Sequence, residues 1–294
     1  MKWDHMRVFL AVARLNRLST AGKTLGLDTS TVGRQIDQLE TDIKLKLFDR
    51  SPQGYALTTE GERLVPFAEQ MERTALHIED EVVGNEGDQL RGAVRIGAPE
   101  GFSRYILADI AIPFCEIYPQ VQLQLVALPK NYSLSKREAD IAISVTPPET
   151  GRLTIQKVAN YQLKLYTTEK AAERFGEINS VSDLKRVRGI GYIPDLIFDE
   201  ALNYIPRISR EITPHLTSAS IFVQLRWALQ GAGVIILPSY IAKHHPEFIP
   251  ILEEEVFFER SFYVLQHQDM ANVKRIRQTA EFFVENIREA MKVI

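Results

Sequence analysis

Two short helical patterns separated by only Gly26-Leu27-Asp28 constrain this chain more than any other feature of its sequence. The first ends at Leu25, where Gly26 supplies a C-terminal stop, and Asp28 or Thr29 is placed to cap the second. A turn this short holds two helices at a steep angle, which is the helix-turn-helix arrangement. A helix precedes the pair, from about Asp4 to Arg14, because Trp3, Met6, Phe9, Leu10 and Ala13 recur at helical spacing. Ser19 is the expected N-cap of the second helix, and the third runs to about Asp42.

At about 100° per residue, Val32, Ile36 and Leu39 of the third helix fall within about 60° of one another and form its buried stripe. Ser30, Thr31, Arg34 and Gln38 lie on the far side. Hydroxyl, guanidinium and amide groups suit base edges and phosphates in a DNA major groove, arginine pairing with guanine and glutamine with adenine. A plain solvated helix face accounts for the polarity equally well.

Charge supports confining nucleic-acid contact to one end. The 294 residues carry a net charge of −3, which argues against wholesale electrostatic binding, yet residues 1–64 carry +2 and the remainder −5. The single cysteine, Cys115, excludes an internal disulfide framework and any multi-cysteine metal site. No signal-peptide core follows Met1, and the longest charge-free stretch, Trp227 to Ala242, is broken by Gly231, Gly233 and Pro238. The expectation is a reduced, soluble, cytoplasmic protein with no membrane partner.

Leu18-Ser19-Thr20-Ala21 through Leu25, then Ser30 to Glu40, resembles the winged helix-turn-helix of LysR-type transcriptional regulators. Leu45-Lys46-Leu47-Phe48-Asp49-Arg50, Gly54, Leu57-Thr58 and Gly61 are similar to that family's wing and wing exit. Both parts match at the right separation. The resemblance implies DNA contacts by Thr29, Ser30, Thr31, Arg34 and Gln35, joined by Ser19, Thr20 and Gln38, with Arg50 on the wing reaching the backbone or minor groove. Two positions depart from the pattern: Gly22 stands where a second alanine is usual, and Gly33 where serine is usual, removing a hydroxyl.

From Thr59 a long helical pattern carries Leu64, Phe67, Met71, Ile78 and Val82 at spacings of three and four. A seam about two residues wide suits packing between two parallel or antiparallel copies, with packing on the chain's own body as the alternative. The family uses this helix to dimerise, which implies a homodimer or homotetramer on a two-fold double-stranded DNA operator. Gly84-Asn85-Glu86-Gly87-Asp88 reads as a linker. The implied division is a DNA-binding domain over 1–61, a linker and dimerisation helix with hinge over 59–89, and an effector-binding domain over 90–294.

The body alternates strands and helices. Strands are expected at 93–98, 121–126, 140–145, 163–166, 187–193, 234–237 and 262–266, with helices through Phe114 and Ile117, at about 170–175, through Phe222, Leu225 and Leu229, and from Val273 to Met291. This gives an α/β body with mostly parallel sheets. The resemblance implies two lobes like those of a periplasmic binding protein, about 90–161 plus 264–294 and about 162–263, crossing near Tyr161-Gln162-Leu163 and Phe262-Tyr263. A small-molecule effector would sit in the cleft, lined by Pro99, Glu100, Gly101, Phe102 and Ser103, by Leu128, by Ser144 and Thr146, and by Thr217 and Ser218. Glu100 would repel a carboxylate, which favours a cationic or neutral effector. Glu100 pointing to solvent or pairing with Arg104 is the plainer alternative.

His215, His244, His245 and His267 lack the spacing of a metal site, and Cys115 beside Phe114 is expected to be a small buried hydrophobe. Gly189-Ile190-Gly191 and Gly231-Ala232-Gly233 are incomplete dinucleotide motifs. No catalytic constellation, cofactor or metal is expected. A ligand-responsive DNA-binding regulator with possible RNA polymerase contact accounts for all segments together. A small-molecule sensor with degenerate DNA binding remains the alternative, and an enzyme lacks its nucleophile and base.

Overall fold

The computed structural model describes residues 2–52, 54–78, 90–127, 139–149, 151–197, 199, 202–208, 214–268, 270–271 and 273–292. The described residues before Leu90 form one compact unit and those from Leu90 onward another.

In the N-terminal unit, α1 (Trp3–Leu15), α2 (Leu18–Leu25) and α3 (Thr29–Ile43) enclose a core of Phe9, Leu10, Val12, Val32, Ile36 and Leu39. Gly26 ends α2 in the left-handed region at φ 68°, where a Cβ is disfavoured. Asp28 is the N-cap of α3. The α2 N-cap is Arg17 rather than Ser19, because half-buried Leu18 packs on this core and draws the helix start two residues earlier. Strands β1 (Phe48–Ser51) and β2 (Gly54–Leu57) form an antiparallel wing, with Phe48 and Tyr55 packed on the core. The helix α4 (Thr59–Ile78) follows.

The C-terminal unit is built on one nine-stranded sheet. One half is parallel: β3 (Gly92–Ala98) lies between β4 (Val121–Ala127) and β5 (Ile141–Ser144). The rest of this half comprises α5 (Glu100–Phe102), a π-helical turn (Ser103–Leu107) and α6 (Ala108–Ile117). The long β6 (Leu153–Thr167) leads out of this half, followed by α7 (Glu169–Phe175). The second half is β7 (Gly189–Gly191), α8 (Ile205–Ile208), β8 (Pro214–Thr217), α9 (Ile221–Leu229), β9 (Val234–Pro238), α10 (Ser239–Ala242) and β10 (Ile249–Ile251). Here β7 is parallel to both β8 and β9. The chain returns through β11 (Phe257–His267) and ends in α11 (Lys274–Lys292). α11 buries Ile276, Ala280, Phe283, Val284 and Ile287.

The sheet is less parallel than the sequence predicts. β6 and β11 run antiparallel to each other from Leu153↔His267 to Lys164↔Phe257, with a bulge between Phe262 and Tyr263, and each joins a parallel half by a further antiparallel pairing. Their outer residues, such as Thr154, Gln156 and Lys157, are exposed and polar, so apolar runs mark only the inner ends near 163–166 and 262–266. Strands β8 and β10 were not expected: both are short and each contains a proline, Pro214 and Pro250, which reads against a strand. Cys115 is exposed, contrary to expectation. On α6 the buried stripe is Ile110 and Phe114, and the next residue is turned about 100° away from Phe114. Among the described residues no helix is long and apolar enough to cross a membrane.

Candidate nucleic-acid interface and ligand cavity

In the N-terminal unit, α3 buries Val32, Ile36 and Leu39 completely and turns Thr29, Ser30, Arg34 and Gln38 outward, while Thr31 and Gln35 are half-buried. Ser19 and Thr20 are exposed on α2. Three of these polar side chains, those of Ser30, Thr31 and Gln38, are already engaged within the unit. Asp28 accepts hydrogen bonds from the Ser30 hydroxyl at 2.5 Å, the Thr31 hydroxyl at 2.7 Å and the Thr31 backbone N–H at 2.7 Å. These donors hold the Asp28 carboxyl far below the usual carboxylate range. Ser30 and Thr31 therefore spend their protons on the cap while keeping acceptor lone pairs. Gln38 donates to Asp42 at 2.9 Å. The Gln35 side-chain oxygen is buried with no hydrogen-bond partner. Arg34 is different: it is exposed and forms no hydrogen bond or ion pair among the described residues.

The wing arginine is held inward. Arg50 Nη2 donates to Asp37 at 2.5 Å and to Glu40 at 3.2 Å, and its guanidinium lies 5.5 Å from the Tyr55 ring centroid. The Asp37 hydrogen bond raises the Arg50 pKa further, outweighing the opposing effect of burial. Glu40 is the group that sequence reasoning missed. Its side chain is 3% exposed, and it accepts from Lys46 Nζ at 2.6 Å and from the backbone N–H groups of Leu47 at 2.8 Å and Phe48 at 3.3 Å. Burial pushes this carboxyl up, but the Lys46 and backbone donors outweigh it and leave it lowered. A sequence signal existed: Glu40 falls about 80° from Val32, at the margin of the buried stripe.

The two unusual glycines differ. A Cβ on Gly22 would lie 2.5 Å from the Leu27 carbonyl oxygen, so this turn packs directly on α2. A Cβ on Gly33 would meet only Leu18 Cδ1, at 3.5 Å, which is ordinary contact.

The α4 seam divides in two. Leu64 and Met71 pack against the core of their own unit, whereas Phe67 is 66% and Ile78 54% exposed. Val82 lies outside the described residues.

In the C-terminal unit a cavity of about 50 Å³ lies where the two parallel halves meet the crossing strands. Pro99, Glu100, Gly101 and Val145 line it from one side. Tyr192, Leu202, Tyr204, Ala219, Ile221 and Tyr240 are among those that line it from the other, with Tyr161, Leu163 and Phe262 on the crossing strands. Of the expected cleft residues, Pro99, Glu100 and Gly101 reach the cavity. Phe102 and Ser103 do not: both are buried, Phe102 packing 4.1 Å from Phe262 between ring centroids and Ser103 facing the Ala98 carbonyl. Ser144 and Thr146 bond each other, through the Ser144 hydroxyl and Thr146 carbonyl at 2.6 Å, and leave Val145 to line the wall. Thr217 and Ser218 stop short of the cavity, where Ala219 takes their place. Leu128 lies outside the described residues.

The aromatic lining was not foreseen. Tyr161 stacks on Phe262 at 4.3 Å and 17°, and Tyr240 meets both rings at 5.9 Å. The Tyr161 and Tyr204 hydroxyls are hydrogen-bonded to each other, and burial raises the pKa of both, as it does for Tyr192 and Tyr240. These rings are scattered through the sequence with no common spacing, so only the fold collects them. Glu100 accepts from the Ser220 hydroxyl at 3.1 and 3.0 Å. Arg104 does not pair with it, its guanidinium lying 4.5 Å from the Phe222 ring centroid. Nearby, His245 Nε2 contacts the Tyr105 hydroxyl at 2.7 Å and His244 stacks on the same ring. Among the described residues no cluster of histidine, cysteine and carboxylate side chains has metal-holding geometry.

Two family models match the chain. The lysR-family bacterial regulatory helix-turn-helix protein covers residues 3–62, and the LysR substrate binding domain covers residues 87–288. A similar curated protein is the HTH-type transcriptional regulator PtxR of Pseudomonas aeruginosa, 26% identical over 81% of this chain and 77% of its own. The fold is shared with the LysR-type transcriptional regulator CrgA of Neisseria meningitidis, at TM-score 0.61 and 21% identity over 98% of this chain and 99% of that one. It is shared also with ArgP of Mycobacterium tuberculosis, at TM-score 0.70 and 16% identity over 96% of each chain.

Proposed function

The chain belongs to the LysR family of bacterial transcription regulators, and from that premise we propose that it binds a two-fold operator in double-stranded DNA as a homodimer or homotetramer. The reading face is the outer side of α3 with the start of α2: Ser19, Thr20, Thr29, Ser30, Thr31, Arg34, Gln35 and Gln38. Arg34 carries the reading, because it is the exposed guanidinium at the centre of this face and is engaged by no other described residue. A side chain with no competing partner breaks no protein hydrogen bond when it turns to a guanine edge or a phosphate. Arg50 acts from the wing. To reach a phosphate it exchanges its exposed partner Asp37 for the DNA backbone, while Glu40 keeps the wing in place.

In this reading the protein is a cytoplasmic regulator rather than an enzyme. Residues 1–61 bind DNA, 59–89 carry the dimer seam and 90–294 bind a small effector. Phe67 and Ile78 are the seam residues that can meet a second copy, since Leu64 and Met71 are committed to their own core. The effector site is the aromatic cavity, and its occupancy alters the closure of the two parallel halves, hence the DNA affinity and RNA polymerase contact.

Genome-wide footprinting with the full chain at two salt concentrations tests this reading. The expected result is a reproducible two-fold motif whose half-sites are about one helical turn, or a multiple of it, apart. Diffuse protection that falls steeply with salt would overturn sequence reading and favour a sensor with degenerate DNA binding.

A further inference from the structure

The cavity carries an electrostatic preference that narrows its ligand. Five aromatic rings line it, Tyr161, Tyr192, Tyr204, Tyr240 and Phe262, and the one charged side chain in the lining is the Glu100 carboxylate. Among the described residues no lysine or arginine pairs with Glu100. Its hydrogen-bond partner is a neutral hydroxyl, that of Ser220, which in turn accepts from the Phe222 backbone N–H at 3.3 Å. The negative charge acts on the lining itself: it adds to burial in raising the Tyr192 pKa.

An anion entering this space would meet an uncompensated carboxylate, and a neutral ligand would leave that carboxylate partly desolvated without a counter-ion. A cation satisfies it and also gains from the negative faces of aromatic rings. The cavity of about 50 Å³ restricts the ligand to a compact group of a few heavy atoms. Arg260, a guanidinium whose charge reaches Tyr161 and Tyr204, is not part of the lining and donates to the Glu259 carbonyl at 3.1 Å.

We propose that the cavity binds a small organic monocation of the alkylammonium class, with Glu100 as counter-ion and the tyrosine and phenylalanine rings as its cage. The inference rests on the reading of this cavity as the effector site.

Three probes of similar shape and different charge test it on the full chain: tetramethylammonium, tert-butanol and pivalate, followed by calorimetry and by footprinting on an operator fragment. Tetramethylammonium is expected to bind at least tenfold more tightly than either of the others. Glu100→Gln should weaken it at least tenfold, and Glu100→Asp, which keeps the charge, should retain the preference for the cation. Pivalate binding as tightly as tetramethylammonium would overturn the inference, as would an undiminished affinity in Glu100→Gln or no binding of the cation at all. The footprint separates the two readings. Cation binding that leaves it unchanged supports the cation site and removes the effector role, whereas pivalate binding that changes it keeps the effector role and removes the cation.

Discussion

The outer face of α3 and the cavity of the C-terminal unit solve opposite recognition problems with opposite means. On α3, short polar side chains are held by neighbours, Ser30 and Thr31 by Asp28 and Gln38 by Asp42, and one cation, Arg34, is left without a partner. In the cavity, buried rings form the wall and one anion, Glu100, is left without a cation among the described residues. In the proposed function a polyanion such as DNA would meet a surface whose hydrogen bonds can be exchanged, and a small ligand a wall that is already packed. In the proposed reading, the unmatched charge in each place sets the sign of its partner.

The largest effect expected lies in the part of the N-terminal unit that the core does not claim. Phe67→Glu with Ile78→Glu removes the exposed seam while leaving Leu64 and Met71 packed. Analytical ultracentrifugation should then show monomers, with operator affinity reduced about 100-fold or more through loss of the second half-site. A native-size oligomer would mean that the seam lies elsewhere.

Next comes the buried carboxylate beneath the wing. Glu40→Ala leaves the Leu47 and Phe48 N–H groups without their acceptor and should cost the N-terminal unit about 2–3 kcal/mol in denaturant unfolding. The C-terminal transition should stay in place. Because the folded-state pKa of Glu40 is lowered, its contribution is complete above the ordinary value of 4.5 and is lost as pH falls through the folded value. Acid should therefore weaken the N-terminal unit more in the native chain than in Glu40→Gln.

Arg34→Ala sharpens the comparison at the reading face. It should cost about 1–3 kcal/mol of discrimination between operator and mismatched sites, measured by competition binding. A uniform loss across all sequences would instead assign Arg34 to a phosphate. The smallest effect is at Gly33, where there is room for a methyl group. Gly33→Ala should stabilise the N-terminal unit by about 0.5–1 kcal/mol, read as a shift in the denaturant midpoint.

How much was legible in advance follows the same division. Helices α1 to α3 and α11 were readable within a residue or two, because a 3.6-residue stripe such as Val32, Ile36, Leu39 reports local geometry directly. The outward placement of Ser30, Arg34 and Gln38 was legible for the same reason. Cleft residues at Pro99, Glu100 and Gly101 were legible because a strand end followed by a helix start is a local pattern. Phe102 and Ser103 were misplaced because the helical turn that begins at Glu100 aims these two consecutive side chains into the core. The α4 seam was half legible: spacing put Leu64, Phe67, Met71 and Ile78 on one helix but did not tell which of them the unit's own core would claim.

What the sequence determined by itself was therefore whatever depends on neighbours along the chain: the helix-turn-helix, its Gly26 stop and Asp28 cap, the alternation of the body, and membership of the LysR family. Tertiary structure alone decided the assembly of Tyr161, Tyr192, Tyr204, Tyr240 and Phe262 around Glu100, the burial of Glu40 beneath the wing and the long antiparallel pairing of β6 with β11. Each of these joins residues separated in the chain, and spacing offered a marginal signal only for Glu40. Their energies come from desolvation and packing, which exist only once the chain has closed on itself.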